Sequence, residues 1–203
     1  MAERIALIDY GAGNLHSVAN ALKAAGAGTV EITASAAVVA CADRIVLPGV
    51  GAFGACSSAL RALPGMPEAL TVRVIGGGVP FLGICVGMQL MADRGLEFGS
   101  HPGLGWISGE VALMTPDDAD TKIPHMGWND VVPAKPHPLI EPGEAYFLHS
   151  YAFSGSDVVA TTAHGGPVVA AIGRANMLGV QFHPEKSQRY GLALLERFLK
   201  WKP

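Results

Sequence analysis

Short apolar runs alternate with amphipathic stretches through the first half of the chain. Strand-like runs are found at Arg4–Asp9, Val30–Thr33, Arg44–Leu47 and Val79–Ile84. Helix-like patterns are found at about Leu15–Ala25, Ala52–Ala62 and Pro67–Gly76. Strands that alternate with helices in this way predict an α/β fold, because each helix carries the chain back across the sheet to the start of the next strand.

The second half is dominated by strand-like segments. They lie at Trp106–Met114, Trp128–Val132, Ala145–Leu148, Val158–Ala163, Val168–Ile172 and Leu178–Phe182. Gly165-Gly166 predicts a hairpin, and a closing helix is expected over Tyr190–Trp201. No linker, repeat or low-complexity segment divides the pattern, so residues 1–203 are expected to form a single domain.

Composition and charge exclude several classes of partner. The chain has 203 residues, is half hydrophobic and carries a formal charge of −3, which does not favour nucleic acid or an anionic membrane. No apolar stretch approaches the roughly 18 residues of a membrane span. The polar start Met1–Arg4 leads directly into a strand, so a cytoplasmic protein is expected. The three cysteines match no disulfide framework or metal spacing, so neither metal nor organic cofactor is expected.

One apolar run ends in a candidate nucleophile. Gly83-Ile84-Cys85-Val86-Gly87 has the form of a nucleophile elbow, with Cys85 in place of the more familiar serine. The glycines on either side allow a neighbouring backbone to come close, and the amides of the following helix favour thiolate. A cysteine in an apolar run is more often a buried core residue, so this interpretation needs support elsewhere in the chain.

Two other segments supply that support. Pro48–Phe53 is a Gly-rich turn after a strand, which suits either backbone donors for an oxyanion or an ordinary turn. Near the C-terminus, His183 and Glu185 follow the last strand at a spacing that lets the carboxylate orient the imidazole. All three segments lie at carboxyl ends of predicted strands, where open α/β sheets place their sites. Gly11-Ala12-Gly13, in contrast, lacks the rest of a dinucleotide-binding fingerprint.

These residues together resemble the class I (triad) glutamine amidotransferases. The resemblance rests on Gly83–Gln89 and on Phe182–Glu185. Within that family, four further segments resemble the glutaminase subunits of imidazole glycerol phosphate synthases in histidine biosynthesis: Ile8–Leu15, Pro48–Phe53, Pro124–Asn129 and His183–Ser187. The match covers essentially the whole chain. It departs from the family at Val86, where leucine is expected, and around Asp117–Asp120, which has no role to carry over.

The resemblance implies a fold and a set of site residues. The fold is a single open, mostly parallel mixed sheet flanked by helices, with a flavodoxin-like core, and residues 1–203 form one glutamine amidotransferase domain. The implied roles are catalysis for Cys85, His183 and Glu185; oxyanion binding for Val86, Gly49 and Val50; glutamine binding for Gly51, Gln89, Ser150 and Tyr151; and partner contact for Tyr10, Asn14, Met126, Trp128 and Lys186.

The resemblance also implies a partner. Almost no chain remains to bind a phosphorylated acceptor once the glutaminase segments are assigned, so a second protein must hold it. The family implies a (β/α)8-barrel cyclase that converts N1-phosphoribulosyl-formimino-AICAR-phosphate to imidazole glycerol phosphate and AICAR. Three alternatives stay open: another triad glutaminase subunit, such as that of pyridoxal phosphate synthase, a stand-alone cysteine hydrolase, and a catalytically silent binding subunit.

Overall fold

A computed structural model describes residues 3–118 and 120–203 of the chain. Two expectations therefore fall partly outside the described residues. Met1 and Ala2 belong to the polar start, and Ala119 lies within the acidic Asp117–Asp120 run.

Strands outnumber helices in the described ranges. The strands are β1 Arg4–Ile8, β2 Thr29–Thr33, β3 Arg44–Gly49, β4 Phe81–Cys85, β5 Arg94–Gly95, β6 His101–Pro102, β7 Gly109–Leu113, β8 His125–Pro133, β9 Gly143–His149, β10 Tyr151–Gly155, β11 Val158–Ala163, β12 Pro167–Arg174 and β13 Met177–Val180. The helices are α1 Leu15–Ala24, α2 Ala36–Ala40, α3 Phe53–Ala62, α4 Met66–Thr71, α5 Val86–Gln89 and α6 Gln188–Lys200. None of the helices described is long and apolar enough to cross a bilayer.

Nine strands form one large mixed sheet, in the order β2-β1-β3-β4-β13-β12-β11-β8-β9. This sheet and its flanking helices confirm the predicted α/β class. Two details differ from the prediction. The pairs from β2 to β13 are parallel and those from β13 to β9 are antiparallel, so the sheet is only half parallel. Strands β10-β7-β5-β6 also form a second, smaller sheet, where a single sheet was expected.

Burial follows position in the large sheet. Every residue of β3 and β4 is buried, because these central strands have neighbours on both edges and helices against the sheet. Strand β8, near the far edge, instead alternates exposed residues with buried or half-buried ones. The carboxyl ends of β3, β4 and β13 therefore lie side by side at one edge of a rigid core, which is where the predicted site residues follow.

Three local predictions need correction. Asn14 directly precedes the first helix in sequence and is predicted to cap it, but its side chain makes no capping hydrogen bond. The helix predicted over Pro67–Gly76 consists of α4 followed by a π-helical turn at Val72–Gly76. The sequence predicts that the helix after Cys85 runs to about Met91, but helix α5 ends two residues earlier, at Gln89. A helix of one turn contributes only a small dipole, so the chemistry of Cys85 must depend mainly on its side-chain neighbours.

Asn176 fastens the β12–β13 turn to the sheet. Its buried side-chain amide donates to the carbonyls of Val74 at 2.8 Å and Val79 at 2.7 Å. We expect Asn176→Ala to lower the free energy of unfolding by about 2 kcal/mol or more, because two buried carbonyls lose their donor. Denaturant titration measures this. Asn20→Ala in α1, where the side chain is exposed, is the control and should stay close to the parent. Equal losses of stability in Asn176→Ala and Asn20→Ala would contradict the role of Asn176 in holding the β12–β13 turn.

Candidate active site

Cys85 lies at a sharp turn between β4 and α5. Its backbone has φ 55° and ψ −114°, a conformation that residues with a side chain rarely adopt and that marks functional sites. The flanking glycines make the turn possible. A Cβ at Gly83 would lie 2.7 Å from the carbonyl oxygen of Gly87, and one at Gly87 would lie 1.8 Å from that of Leu47. The strand, strained cysteine and helix therefore form the elbow geometry that the sequence predicts.

The Gly-rich loop after β3 lies beside this elbow. Gly49, the last residue of β3, pairs in register with Cys85 in β4. Val50 is 52 % exposed, and Gly51 has φ +112°, which favours glycine. The Val50 carbonyl accepts a hydrogen bond from Cys56 Sγ in α3 at 3.6 Å. The loop thus begins beside the elbow, and its residues Val50 and Gly51 line the same cavity as Cys85.

The segment after β13 brings His183 and Glu185 to the same edge. The His183 amide donates to the carbonyl of Tyr146 in β9 at 2.9 Å, which anchors the backbone. Ring atom Nδ1 of His183 lies 2.9 Å from Glu185 Oε1. An extended segment was expected here, but Pro184–Lys186 is a single 3-10 turn. The turn still allows the predicted contact between Glu185 and His183, and it leaves Nε2 of the His183 ring free to face Cys85 Sγ.

Electrostatics couple His183 to both neighbours. Burial alone would lower the pKa of His183, but hydrogen bonding with Cys85 and Glu185 and their negative charges raise that pKa to about 10. A raised pKa keeps the proton on the ring through neutral pH. The arrangement can therefore hold an imidazolium beside a thiolate, with the carboxylate on the far side of the ring.

This coupling predicts an unusual titration. In the folded protein, we expect the His183 ring to keep its proton as pH rises through 8 and to lose it only near pH 10, whereas an unperturbed ring loses it near 6.5. Glu185→Gln removes one of the two negative partners and should lower this pKa. NMR titration of labelled histidine measures both. A His183 resonance that titrates near 6.5 in the parent would contradict the ion pair.

The three segments enclose a cavity of about 340 Å³. It is lined by most of the residues predicted from sequence, namely Val50, Gly51, Cys85, Val86, Gln89, Ser150, Tyr151, His183 and Lys186. Glu185 lies behind the imidazole, and Gly49 lies beneath the loop. A larger and more open depression of about 700 Å³ lies beside β7, β10 and β12, and none of the predicted catalytic residues lines it.

The family profile of glutamine amidotransferase class-I matches residues 6–201. This chain belongs to the class-I glutamine amidotransferases. The imidazole glycerol phosphate synthase subunit HisH of Zymomonas mobilis is 59% identical, covering 98% of this chain and 96% of that protein. The protein of the same name from Brucella suis is 53% identical, covering 98% of this chain and all (100%) of the relative.

Solved structures agree on the fold of this amidotransferase. A crystal structure described as a glutamine amidotransferase aligns with a TM-score of 0.74 at 18% identity, covering 96% of this chain and 97% of that one. A chain from the PurLQS structure of Thermotoga maritima aligns with a TM-score of 0.73 at 17% identity, covering 98% of this chain and 99% of that one. At such low identity the agreement concerns the fold alone.

Sequence reasoning missed three polar residues around the amidotransferase cavity. Glu97 and His149 line it, and Gln181 lies behind it with its side-chain amide 3.8 Å from Cys85 Sγ. Glu97 also accepts a hydrogen bond from the Phe53 amide at 2.7 Å. The sequence carries only a weak signal for them. His149 and Gln181 are polar residues in or beside strand patterns, Glu97 lies in a Gly-containing stretch between predicted strands, and many such residues are solvent-exposed.

The residues predicted to contact a partner fall into two groups. Met126 and Trp128 are 65 % and 48 % exposed on one face of β8, and Lys186 and Asn14 are also exposed. Tyr10 differs from them. Its ring is buried, with 5 % exposure, and its hydroxyl donates to the Pro48 carbonyl at 2.8 Å beneath the Gly-rich loop. The side chain offers a partner almost no surface, so we drop Tyr10 from the proposed contacts.

Proposed function

We propose that this amidotransferase is the glutaminase subunit of an imidazole glycerol phosphate synthase in histidine biosynthesis, and that it works in the cytoplasm. One observation carries the proposal. Cys85 and His183 line one cavity, with Glu185 against the imidazole, in a chain that is 59% identical to a HisH subunit over almost its whole length. Residues 1–203 form one domain in this proposal.

The first half-reaction forms a thioester. The Cys85 thiolate attacks the side-chain amide carbon of glutamine, a carbon–sulfur bond forms, and the carbonyl electrons move onto oxygen. As the tetrahedral intermediate collapses, the carbon–nitrogen bond breaks. His183 gives its proton to the leaving nitrogen, which departs as ammonia. Glu185, 2.9 Å from Nδ1, holds the ring in the orientation that this transfer needs.

The second half-reaction releases glutamate. The neutral His183 ring takes a proton from water, the resulting hydroxide attacks the thioester, and the carbon–sulfur bond breaks to restore the thiolate. Backbone amides of Val86 and of the Gly49–Gly51 loop stabilise the oxyanion in both halves. One such donor contributes about 10²–10³ in rate. Val86 begins α5, and the loop lies beside the elbow, so both are close to the reacting carbon.

The cavity supplies groups for the rest of the substrate. Gly51, Gln89, Ser150 and Tyr151 line it and provide backbone and side-chain partners for glutamine. Glu97 adds a carboxylate that suits the α-ammonium group. A site built to pair both the side-chain amide and the amino-acid end selects glutamine over amides that lack the second group.

The ammonia goes to a partner subunit. Ammonia released into neutral water becomes mostly ammonium, which is not a nucleophile, so an enclosed route to the acceptor is needed. We propose a (β/α)8-barrel cyclase as the partner. The exposed Met126 and Trp128 on β8, with Lys186 near the mouth of the cavity, form the contact face.

Trp128 provides a test of this face. We expect Trp128→Ala to reduce stimulation of glutamine hydrolysis by the cyclase by about tenfold or more, because buried aromatic anchors dominate interfaces. The melting temperature should change little, because the side chain is 48 % exposed in the isolated chain. Val72→Ala, which changes an exposed residue that does not line the cavity, is the control. Loss of folding in Trp128→Ala would assign this residue to the core instead.

Reconstitution tests the proposed function as a whole. Glutamate release is measured for the purified chain alone, with the cyclase, and with the cyclase carrying its nucleotide ligand. We expect strong stimulation only in the third case. Hydrolysis that ignores the cyclase would leave a glutaminase of another pathway or a stand-alone hydrolase. No hydrolysis in any condition would favour a silent binding subunit.

A further inference from the structure

A continuous line of polar groups, buried except at its Asn129 end, runs along the wall of the cavity from β8 to the nucleophile. Asn129 Nδ2 lies 3.0 Å from His125 Nε2, and His125 Nδ1 lies 3.1 Å from His149 Nε2. His149 Nδ1 lies 2.9 Å from the Tyr151 carbonyl. His125 and His149 are 3 % and 7 % exposed, so solvent has little access to these contacts.

The line continues from that carbonyl to the sulfur. Gln89 Nε2 donates to the same Tyr151 carbonyl at 3.0 Å and to Gln181 Oε1 at 3.0 Å. Gln181 Nε2 in turn points at Cys85 Sγ, 3.8 Å away, which is within reach of a hydrogen bond to sulfur. Gln181 is fully buried and Gln89 nearly so. Both hydrogens of Gln89 Nε2 are used, which leaves its Oε1 for substrate.

Only one direction of donation satisfies the whole line. A carbonyl only accepts, so His149 carries its hydrogen on Nδ1 and its Nε2 accepts from His125 Nδ1. His125 Nε2 must then accept, and the Asn129 amide is the donor that faces it. The second amide hydrogen of Asn129 goes to the Ala163 carbonyl at 2.8 Å. Both rings must be neutral, and burial lowers the pKa of His125 to about 3 and that of His149 to about 4.

We infer that Gln181 is a positioning residue that donates a hydrogen bond to the Cys85 thiolate, and that the line from Asn129 through His125, His149, Tyr151 and Gln89 fixes its orientation. With Oε1 of Gln181 held by Gln89, Nε2 is the end that must face the sulfur. An amide donor favours the ionised form of the nucleophile and fixes its position at the elbow.

The same line connects the nucleophile to the proposed partner face. Asn129 belongs to β8, where Met126 and Trp128 project from the opposite side of the strand. A partner that shifts β8 would move Asn129 and, through the paired groups, the Gln181 amide. This part of the inference rests on the proposed function, whereas the contact between Gln181 and Cys85 does not.

Gln181→Met tests the donor without using substrate. It keeps the length of the side chain and removes the amide. We expect the ratio of Cys85 thiolate to thiol at fixed neutral pH to fall by about tenfold, the effect of one charge-assisted hydrogen bond. Thiolate ultraviolet absorbance, measured as the difference from the matched Cys85→Ala protein, isolates this residue from the other two cysteines. Circular dichroism and thermal melting report folding separately.

Thr162→Val is the matched control. It also replaces a buried polar group with an apolar one, but the Thr162 hydroxyl has no hydrogen-bond partner among the residues described. The thiolate ratio should match the parent. Gln181→Leu is a second variant, which removes both the donor to Cys85 and the acceptor for Gln89, so its thiolate ratio should fall at least as far. A folded Gln181→Met or Gln181→Leu with the parent ratio would overturn the inference.

Asn129→Leu tests the end of the hydrogen-bonded line that is farthest from Cys85. Loss of its amide removes the donor to His125, so we expect a smaller fall in the thiolate ratio, of about twofold to threefold. An unchanged ratio in folded Asn129→Leu would overturn the connection to β8. Because thiolate absorbance requires neither glutamine nor a cyclase, a failure of the proposed function would leave these results interpretable.

Discussion

Replacing Cys85 with alanine should lower glutamate release by at least about 10³-fold, because no other group at the elbow can form the thioester. Cys56, the nearest alternative thiol in sequence, is buried in α3, and burial raises its pKa. Cys56 does not line the cavity, and the raised pKa keeps it as a thiol. The assay is glutamate production in the presence of the ligand-loaded cyclase.

Cys41→Ala is the control for that result. It removes an exposed thiol at the end of α2, outside the elbow and the Gly-rich loop, so hydrolysis should stay within a few-fold of the parent. Both variants should bind the cyclase, and Cys85→Ala should melt at nearly the parent temperature because a small side chain is truncated. Residual hydrolysis within tenfold of the parent in folded Cys85→Ala would rule out covalent catalysis by this residue.

Gly87→Ala should be the most destabilising change near the site. A Cβ there would lie 1.8 Å from the Leu47 carbonyl oxygen and 2.8 Å from the Leu47 carbonyl carbon, and both atoms belong to the backbone of β3. Backbone in a central strand cannot move aside as a flexible side chain can. We expect the free energy of unfolding to fall by about 3 kcal/mol or more. The melting temperature should fall by about 6 °C or more.

Gly76→Ala provides the comparison. A Cβ at Gly76 would meet open space, and its backbone does not require glycine, so stability should change by no more than about 0.5 kcal/mol. Gly87→Ala should also displace the elbow relative to β3 and reduce hydrolysis along with stability. Denaturant titration gives the stability of both variants. If Gly87→Ala and Gly76→Ala were equally stable, α5 would pack less tightly on β3 than the structure indicates.

The parts of the fold that sequence predicts well are those with a strong local pattern. Buried strands such as β3 and β4 are continuous apolar runs, and α6 shows the spacing of a helix with one buried face. The smaller sheet was not predicted, because β5 and β6 are only two residues long and carry no periodicity. Gly165-Gly166 predicts the β11–β12 hairpin, which the structure confirms, whereas the pairing of β11 with β8 joins strands that are distant in sequence and no local pattern encodes it.

The site residues also differ in how well the sequence predicts them. Cys85, His183 and Glu185 could be found because each sits in a short motif at a strand end, and the structure brings them together at one cavity. Their catalytic roles stay predictions. Gln181 and His149 could not be found, since only the folded arrangement shows which polar residues are buried and paired. Tyr10 was misplaced because a motif says nothing about which side of a loop its side chain occupies.

The most direct test of the central claim is detection of the thioester itself. The protein is mixed with isotopically labelled glutamine and ligand-loaded cyclase, quenched in acid during turnover, and digested for peptide mass spectrometry. We expect a labelled glutamyl group on Cys85 of the parent and none in the Cys85→Ala protein. Steady production of glutamate, with Cys85 unmodified at every quench time and the label found on another residue, would contradict the mechanism.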